Sequence, residues 1–320
     1  MIFVGGTGRS GTTILSKILN QHEKVYSLPQ EIRFITDPDG LISLKHALVS
    51  DWSKFHADFA MERFIVLMEN LKNKYIGNYP NHNLSKIVGN EFYYTWIEEL
   101  KKDLINFEIK SGWAGRINIF QKIIIKIFGK NQFTQSILKE SYYCSPLSEK
   151  EFNEYFGNFT IQFLKQAAIL NNANITIDHT PSNILHFKFI SDIIPEAKLI
   201  HIYRDPRDIA CSYKTKDWAS NNFDQNILWI KNVLTKWNQL KLQIDNSSFL
   251  EVKFESIIND TNNELKRICD FLTIDYNTSL LKLDISKHNI GRWKSELDSN
   301  EIKIIENHFS SIIDDYGYPR

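Results

Sequence analysis

Four short apolar runs, at residues 2–4, 175–177, 199–203 and 250–254, are each too short for a helix and read as buried strands. Between them apolar positions recur with helical spacing, beginning with the amphipathic run 14–19. Strands alternating with helices predict an α/β fold, a parallel sheet flanked by helices through right-handed crossovers. One stretch departs from the alternation. From about residue 38 to 172 the pattern is almost wholly helical, with candidate helices at 41–51, 57–75, 92–107, 117–128 and 150–170. We therefore expect a single domain over 1–320 with a long helical insertion at about 38–172. Its aromatic residues include Trp52, Phe64, Phe92, Tyr93, Tyr94, Trp96, Trp113, Phe120, Tyr142 and Tyr143. Core packing is the first expectation for each, and the insertion's place in the chain also suits one wall of an acceptor cleft.

Between the first apolar run and the first amphipathic helix the chain reads Val4-Gly5-Gly6-Thr7-Gly8-Arg9-Ser10-Gly11-Thr12-Thr13. A strand, a Gly-rich turn and a helix start make the geometry in which backbone N–H groups converge on a phosphate. From Gly6 the spacing is Gly-x-x-x-x-Gly-Thr-Thr, a P-loop-like frame with Thr12 where a nucleoside triphosphatase carries Lys. That Lys neutralises the β/γ-phosphates of a triphosphate; here the cation is Arg9, inside the loop. Alone, the loop reads equally as an ordinary Gly-rich turn. A second strand, turn and helix follows at 198–213, with Arg204-Asp205-Pro206-Arg207-Asp208 at the strand end and Ser212 about two turns into the helix. Pro206 suits a first helical turn. Two such elements suggest a ligand with two separate anionic groups. Arg204 is expected to bind one of them, and Arg207 to pair with a neighbouring Asp at the surface.

Composition narrows the partners. Apolar content of 42% and charged content of 24% are ordinary for a globular protein. Formal net charge is zero, so no global field draws the chain to nucleic acid or to a membrane, and any anion site must be local. Cys144, Cys211 and Cys269 are scattered without metal-ligand spacing and read as reduced structural thiols. Nothing in the sequence has the length and apolarity of a signal peptide or a membrane span.

Taken together, Gly8-Arg9-Ser10-Gly11-Thr12-Thr13 resembles the 5′-phosphosulfate loop of PAPS-dependent sulfotransferases, and Arg204 with Ser212 resembles that family's 3′-phosphate site. Asp178-His179-Thr180-Pro181-Ser182-Asn183 resembles its "TP" segment, Val252-Lys253-Phe254-Glu255 its "V-x-Y-E" strand, Ile290-Gly291-Arg292-Trp293 its C-terminal "GRW" loop, and Tyr316-Gly317-Tyr318-Pro319 its usual ending. The likeness is to the Golgi-type and bacterial branches, protein-tyrosine sulfotransferases included.

The resemblance implies PAPS as donor, PAP as product, no metal, and in-line transfer of a sulfuryl group to a hydroxyl on a glycan, a small molecule or a peptide tyrosine. It implies cofactor contacts from Gly8, Arg9, Ser10, Gly11, Thr12, Thr13, Arg204, Ser212, Gly291 and Arg292, with Arg9 also stabilising the leaving phosphate. In Gln30-Glu31-Ile32-Arg33 it makes Glu31 the general base and Arg33 its orienting or substrate-side partner. His179 stands where the family usually has Lys, and is a second candidate for the catalytic base. Phe254 replaces a usual Tyr, which would keep stacking near the nucleotide but lose the phenol hydrogen bond. Lys287, His288 and Lys294 add cations to the C-terminal loop. No nucleic-acid partner is implied, a homodimer is left open, and the expected location is cytoplasmic. Two other readings stay on the page: a P-loop-type small-molecule kinase, which the Thr12 position disfavours, and a non-catalytic nucleotide-binding protein of the same fold.

Overall fold

The computed structural model describes residues 1–73, 82–110, 117–129, 131–285 and 289–319; Tyr75, Trp113, Lys287 and His288 lie outside the described residues. The strands are β1 (Ile2–Gly5), β2 (Val25–Ser27), β3 (Phe107–Lys110), β4 (Glu140–Tyr143), β5 (Ile175–Asp178), β6 (Lys198–Tyr203) and β7 (Phe249–Lys253). The chain forms two compact units, one of residues 1–32 with 161–320 and one of residues 33–160.

The first unit is built on a five-stranded sheet in the order β2-β5-β1-β6-β7, with every adjacent pair parallel. β1 is central and buried along its whole length, as its unbroken apolar run requires of a strand covered on both faces. Helix Thr12–Leu19 buries Leu15, Ile18 and Leu19 against Val4, Ile200 and Ile202 of the sheet in one cluster, which helix Thr261–Leu272 completes with Leu265 and Ile268. Helices Pro206–Tyr213, Phe223–Leu240 and Ser299–Asp315 share a second cluster around Ile209, Ile230, Leu234 and Phe309. The mixed α/β fold with a helix-flanked parallel sheet is thus the one the apolar pattern predicts. The three cysteines are free and buried, and burial pushes the Cys211 thiol up to about 12.

The second unit holds helices Leu41–Lys45, Lys54–Lys72, Leu84–Val88, Asn90–Leu104, Ile119–Phe128 and Gln132–Ser136. Its core is aromatic: Trp96 stacks on Phe159 with centroids 3.9 Å apart and donates its indole N–H to the Phe159 carbonyl at 3.0 Å. Tyr93 is buried and donates to the Met68 carbonyl at 2.7 Å. The sequence pattern missed the short helices Leu84–Val88 and Gln132–Ser136 and an antiparallel β3–β4 pair. The helix expected to reach Phe107 stops at Leu104, and Phe107 instead stacks across the pair on Tyr143 at 4.5 Å. Buried Asp58 accepts the Tyr142 N–H at 2.8 Å and pins the second strand. Four-residue strands are too short for their alternation to outweigh neighbouring helical spacing. Among the described residues no helix is long and apolar enough to cross a membrane.

A buried polar knot stiffens the β6–β7 edge. His201, fully buried, contacts Glu251 at 3.0 Å through Nδ1, while Trp237 donates to the same carboxylate at 2.8 Å and Lys241 at 3.0 Å. Burial lowers the His201 pKa, against the opposing pull of Glu251, so the ring is neutral and donates its Nδ1–H. Burial alone would raise Glu251, but hydrogen bonds from His201, Trp237 and Lys241 outweigh it and hold the carboxyl at about 2. Both shifts make the unfolded chain bind more protons than the folded one in acid. The His201 contribution is present above its unfolded value near 6.5 and is lost as pH falls below it; the Glu251 contribution is lost between about 4.5 and about 2. Stability should therefore fall from pH 7.5 to 5.5, and His201→Gln should flatten that slope by up to about 1.4 kcal/mol per pH unit, the value for one proton. Urea titrations at several pH values measure it, and an unchanged slope would mean the His201 ring does not govern this range.

Candidate active site

The loop after β1 owes its shape to left-handed backbone. Gly8, Arg9 and Gly11 have φ of 78°, 60° and 113°. Glycine adopts this region freely, whereas an arginine does so at a cost. Arg9 is held there by a hydrogen bond from its Nε to Ser212 Oγ at 2.9 Å. At Gly11 any side chain would also collide with the Phe254 ring, since a Cβ would lie 2.5 Å from it. The helix that follows has no side-chain cap and no acidic residue in its first turn, so its positive end is left for an anion. Thr12 is buried there and Thr13 exposed. Ser10 is fully buried and its hydroxyl has no hydrogen-bond partner. Tyr213, one residue after Ser212, donates its hydroxyl to the Thr7 carbonyl at 2.5 Å.

The loop after β6 is fixed by carboxylates. Asp205 caps helix Pro206–Tyr213 by accepting the Arg207 N–H at 2.9 Å. Arg207 pairs with Asp205 at 2.8 Å, as expected, yet this pair is buried rather than at the surface. Its guanidinium also lies 3.9 Å from the Trp293 ring centroid and donates to the Pro319 carbonyl at 2.8 Å, which fastens the C-terminal segment. Tyr318 donates to Glu255 at 3.0 Å, and Glu255 in turn accepts the Asp205 N–H at 3.0 Å. Arg204 rests 5.0 Å from the Phe254 centroid, pairs with Asp208 at 3.2 Å and donates to the Asn289 carbonyl; its Nε is buried without a partner. Fully buried Asp208 also accepts the N–H groups of Gly291 at 2.8 Å and Trp293 at 3.1 Å.

A third buried carboxylate, Asp178 at the end of β5, accepts the Ile32 N–H at 3.3 Å, the Thr180 hydroxyl at 2.8 Å and the Asn183 side-chain amide at 2.8 Å. It thereby ties the segment carrying half-buried Glu31 to the one carrying His179. His179 is buried, with Nδ1 lacking a hydrogen-bond partner. The Pro181 carbonyl accepts the Gly6 N–H at 3.0 Å, joining this segment to the first loop as well.

A model described as the sulfotransferase family matches residues 126–278. The omega-hydroxy-beta-dihydromenaquinone-9 sulfotransferases of Mycobacterium bovis and Mycobacterium tuberculosis are 24% identical over 183 residues, 52% of this chain and 47% of theirs. The match thus spans about half the length of these curated relatives. Among solved structures, the sulfotransferase domain of the Synechococcus PCC 7002 olefin synthase gives a TM-score of 0.52 at 17% identity, covering 100% of this chain and 95% of that one. The sulfotransferase domain from the curacin biosynthetic pathway gives 0.50 at 12% identity, covering 100% and 98%. The chain is thus similar to sulfotransferases in sequence over residues 126–278 and shares the fold of two sulfotransferase domains.

The structure brings Arg9 to Ser212 directly, and Arg204 to the Gly291 loop through Asp208. Other expected contacts are committed elsewhere. The Gly291 N–H is used by Asp208, and Arg292 forks onto Glu296 at 2.6–3.0 Å. Phe254 is 2% exposed and belongs to the core beneath Gly11, where it forms a floor for the loop. Arg33 has φ 58° and pairs with Asp37 at 3.1 Å. Sequence reasoning gave no role to Asp178, Asp208, Glu255 or Tyr213. The available signal was position, an acid on the last residue of a strand or in the first turn after one.

Asp178 offers a direct check. In Asp178→Asn the new amide N–H₂ must face at least one of the three donors, so we expect a loss of about 1–3 kcal/mol, the range for a buried unmatched polar group. Urea denaturation measures it. A loss below about 0.5 kcal/mol, typical of neutral surface changes, would show that the carboxylate does not hold these segments together.

Proposed function

We propose that the chain transfers a sulfuryl group from PAPS to a hydroxyl-bearing acceptor. The observation that carries this reading is the Arg9–Ser212 hydrogen bond, which joins the Gly-rich loop to the helix after β6 and so sets two anion-binding elements side by side. Two further features fit the donor. Helix Thr12–Leu19 presents an uncapped positive end, and Arg204 keeps a buried Nε without a partner. The Gly8–Thr13 loop would hold the 5′-phosphate, and Arg204 with Ser212 the 3′-phosphate.

The donor supplies an activated sulfuryl group on a phosphate leaving group; the chain's residues do the rest. Arg9 and the N–H groups near Gly11 stabilise charge developing on the leaving phosphate oxygen. The acceptor oxygen forms its bond to sulfur as the phosphate oxygen departs, and Glu31 takes the acceptor's proton. Asp178 acts behind this step as a positioning residue, through the Ile32 N–H beside Glu31. His179 is the second candidate for the base. The kinase reading loses to Thr12, which puts no lysine at the β/γ-phosphate position.

Calorimetry should find PAP binding in the micromolar range or tighter without metal. Arg204→Ala and Ser212→Ala should weaken PAP by at least about tenfold, the worth of one charge-assisted hydrogen bond. Arg204→Ala should affect adenosine 5′-phosphosulfate, which lacks the 3′-phosphate, far less, whereas Ser212→Ala also releases Arg9 and should weaken both ligands. Equal losses for both ligands in Arg204→Ala would make Arg204 structural, and preference for ATP with Mg²⁺ would overturn the donor assignment.

Proton transfer is tested with labelled PAPS and a library of alcohols and phenols. Glu31→Gln should leave PAP affinity nearly intact and lower turnover roughly 10²–10⁴-fold, the range for loss of a general base. His179→Lys should then retain activity. If His179→Lys is nearly inactive while Glu31→Gln keeps more than about a tenth of turnover, His179 is the base instead. Donor binding with no turnover on any acceptor would favour the non-catalytic reading.

A further inference from the structure

The helix Ile119–Phe128 has no buried residue. Seven of its ten positions are apolar, and Ile119, Phe120, Ile123, Ile127 and Phe128 are each roughly half to three-quarters exposed. At about 100° per residue, Ile119, Ile123, Ile127, Phe120, Ile124 and Phe128 share one half of the helix, and Lys122 and Lys126 lie together on the other with Gln121 and Ile125. The helix does not depend on a core for its shape. A reciprocal capping box closes its start, with Gln121 N–H to Asn118 Oδ1 and Asn118 N–H to Gln121 Oε1 both at 2.9 Å. The sequence around it is one-sided in charge as well, although Lys110 pairs with Glu140 and Lys139 with Glu62. From Ile109 to Lys139 the chain carries Lys110, Arg116, Lys122, Lys126, Lys130 and Lys139 and no Asp or Glu, within a sequence of zero net charge.

We propose that this helix docks the protein on an anionic lipid bilayer, lying in the interface with its apolar face among the acyl chains and its lysines at the headgroups. The proposal goes beyond the sulfotransferase reading and does not rest on it. An unburied apolar half beside a cationic half is the pattern of an in-plane interfacial helix. Protein interfaces are depleted of lysine at their centres, and a two-fold contact with a second copy would bring this all-cationic segment against itself. A bilayer bearing phosphatidylglycerol supplies both an apolar interior and the opposite charge.

The full chain is tested by co-sedimentation with phosphatidylcholine vesicles with and without phosphatidylglycerol. Binding is expected only to the anionic vesicles, and should weaken as salt rises well above physiological strength. Lys122→Glu with Lys126→Glu should cut partitioning at least tenfold, on the basis of about fivefold per basic residue lost. Phe120→Ser with Ile123→Ser and Ile127→Ser should do the same without changing the thermal unfolding midpoint, since all three side chains are solvated. Trp fluorescence of a Phe120→Trp variant should be quenched by brominated acyl chains. No binding to anionic vesicles, or binding that both variant sets leave intact, overturns the proposal. So does dimerisation in lipid-free buffer that the serine variants abolish, which would assign the face to a second copy. PAP binding is not among these readouts, so failure here leaves the donor assignment standing, and the reverse.

Discussion

The site exists because β1 and β6 are direct parallel neighbours, paired from Ile2↔Lys198 to Gly5↔His201. Parallel strands lie about 4.8 Å apart and end at the same edge of the sheet, so the loops that leave them emerge side by side. Ligands of open α/β sheets bind at that carboxyl edge. Residues 203 positions apart in sequence then meet, as Arg9 Nε and Ser212 Oγ do. The contact also stabilises an arginine at positive φ, a conformation the chain would not hold alone. Tyr213, reaching back to the Thr7 carbonyl, makes a second strap between the same elements. A shift of β6 by one residue would move both straps and reverse the faces of β6.

In the loops after β5, β6 and β7 buried carboxylates set the geometry. Asp178, Asp205, Asp208 and Glu255 are each engaged by backbone N–H groups or by an arginine. Burying a charge is costly unless it is paired and hydrogen-bonded, and Glu255 shows the residual penalty, since burial raises its pKa. Asp208 illustrates the return. It accepts from Arg204 and from two N–H groups of the 291–293 turn, so one carboxylate positions both a cation and a loop. Replacing such a group disturbs several donors at once, which separates a positioning role from a surface ion pair.

Much of this was legible in the sequence, and the reasons differ by element. β1, β5, β6 and β7 fall where unbroken apolar runs placed them, because a sheet covered on both faces leaves no polar alternation to misread. The turns after β1 and β6 were legible through glycine and proline, whose backbone requirements are local. Arg207 was assigned its partner correctly and its environment wrongly, since pairing follows from neighbours in sequence while burial depends on the C-terminal segment that covers it. The contacts that Phe254 and Arg292 make were not legible for a related reason. Their partners, the floor under Gly11 and Glu296, are set by packing that no motif encodes. The β3–β4 pair was missed because its stability comes from a cross-strand aromatic contact, invisible until the strands meet.

Net charge is also less informative than its distribution. Zero over the whole chain conceals a stretch from Ile109 to Lys139 that carries only cations, so the remainder is acidic in balance. The acidic remainder contains the Gly8–Thr13 loop, Arg204 and Ser212. A doubly anionic ligand is therefore not drawn to the site by a favourable long-range field. Exposed charges are screened beyond roughly 10 Å in any case. On the proposed function, recognition would come from short-range groups already in place, namely an uncapped helix end, a guanidinium held over Phe254 and a hydroxyl fixed by Arg9. Such groups lose little freedom when a phosphate arrives, because the conformational cost has already been met in folding. On this argument the buried carboxylates are not at odds with an anion site. They fix its donors in place, and the fixed donors discriminate by geometry where the field does not.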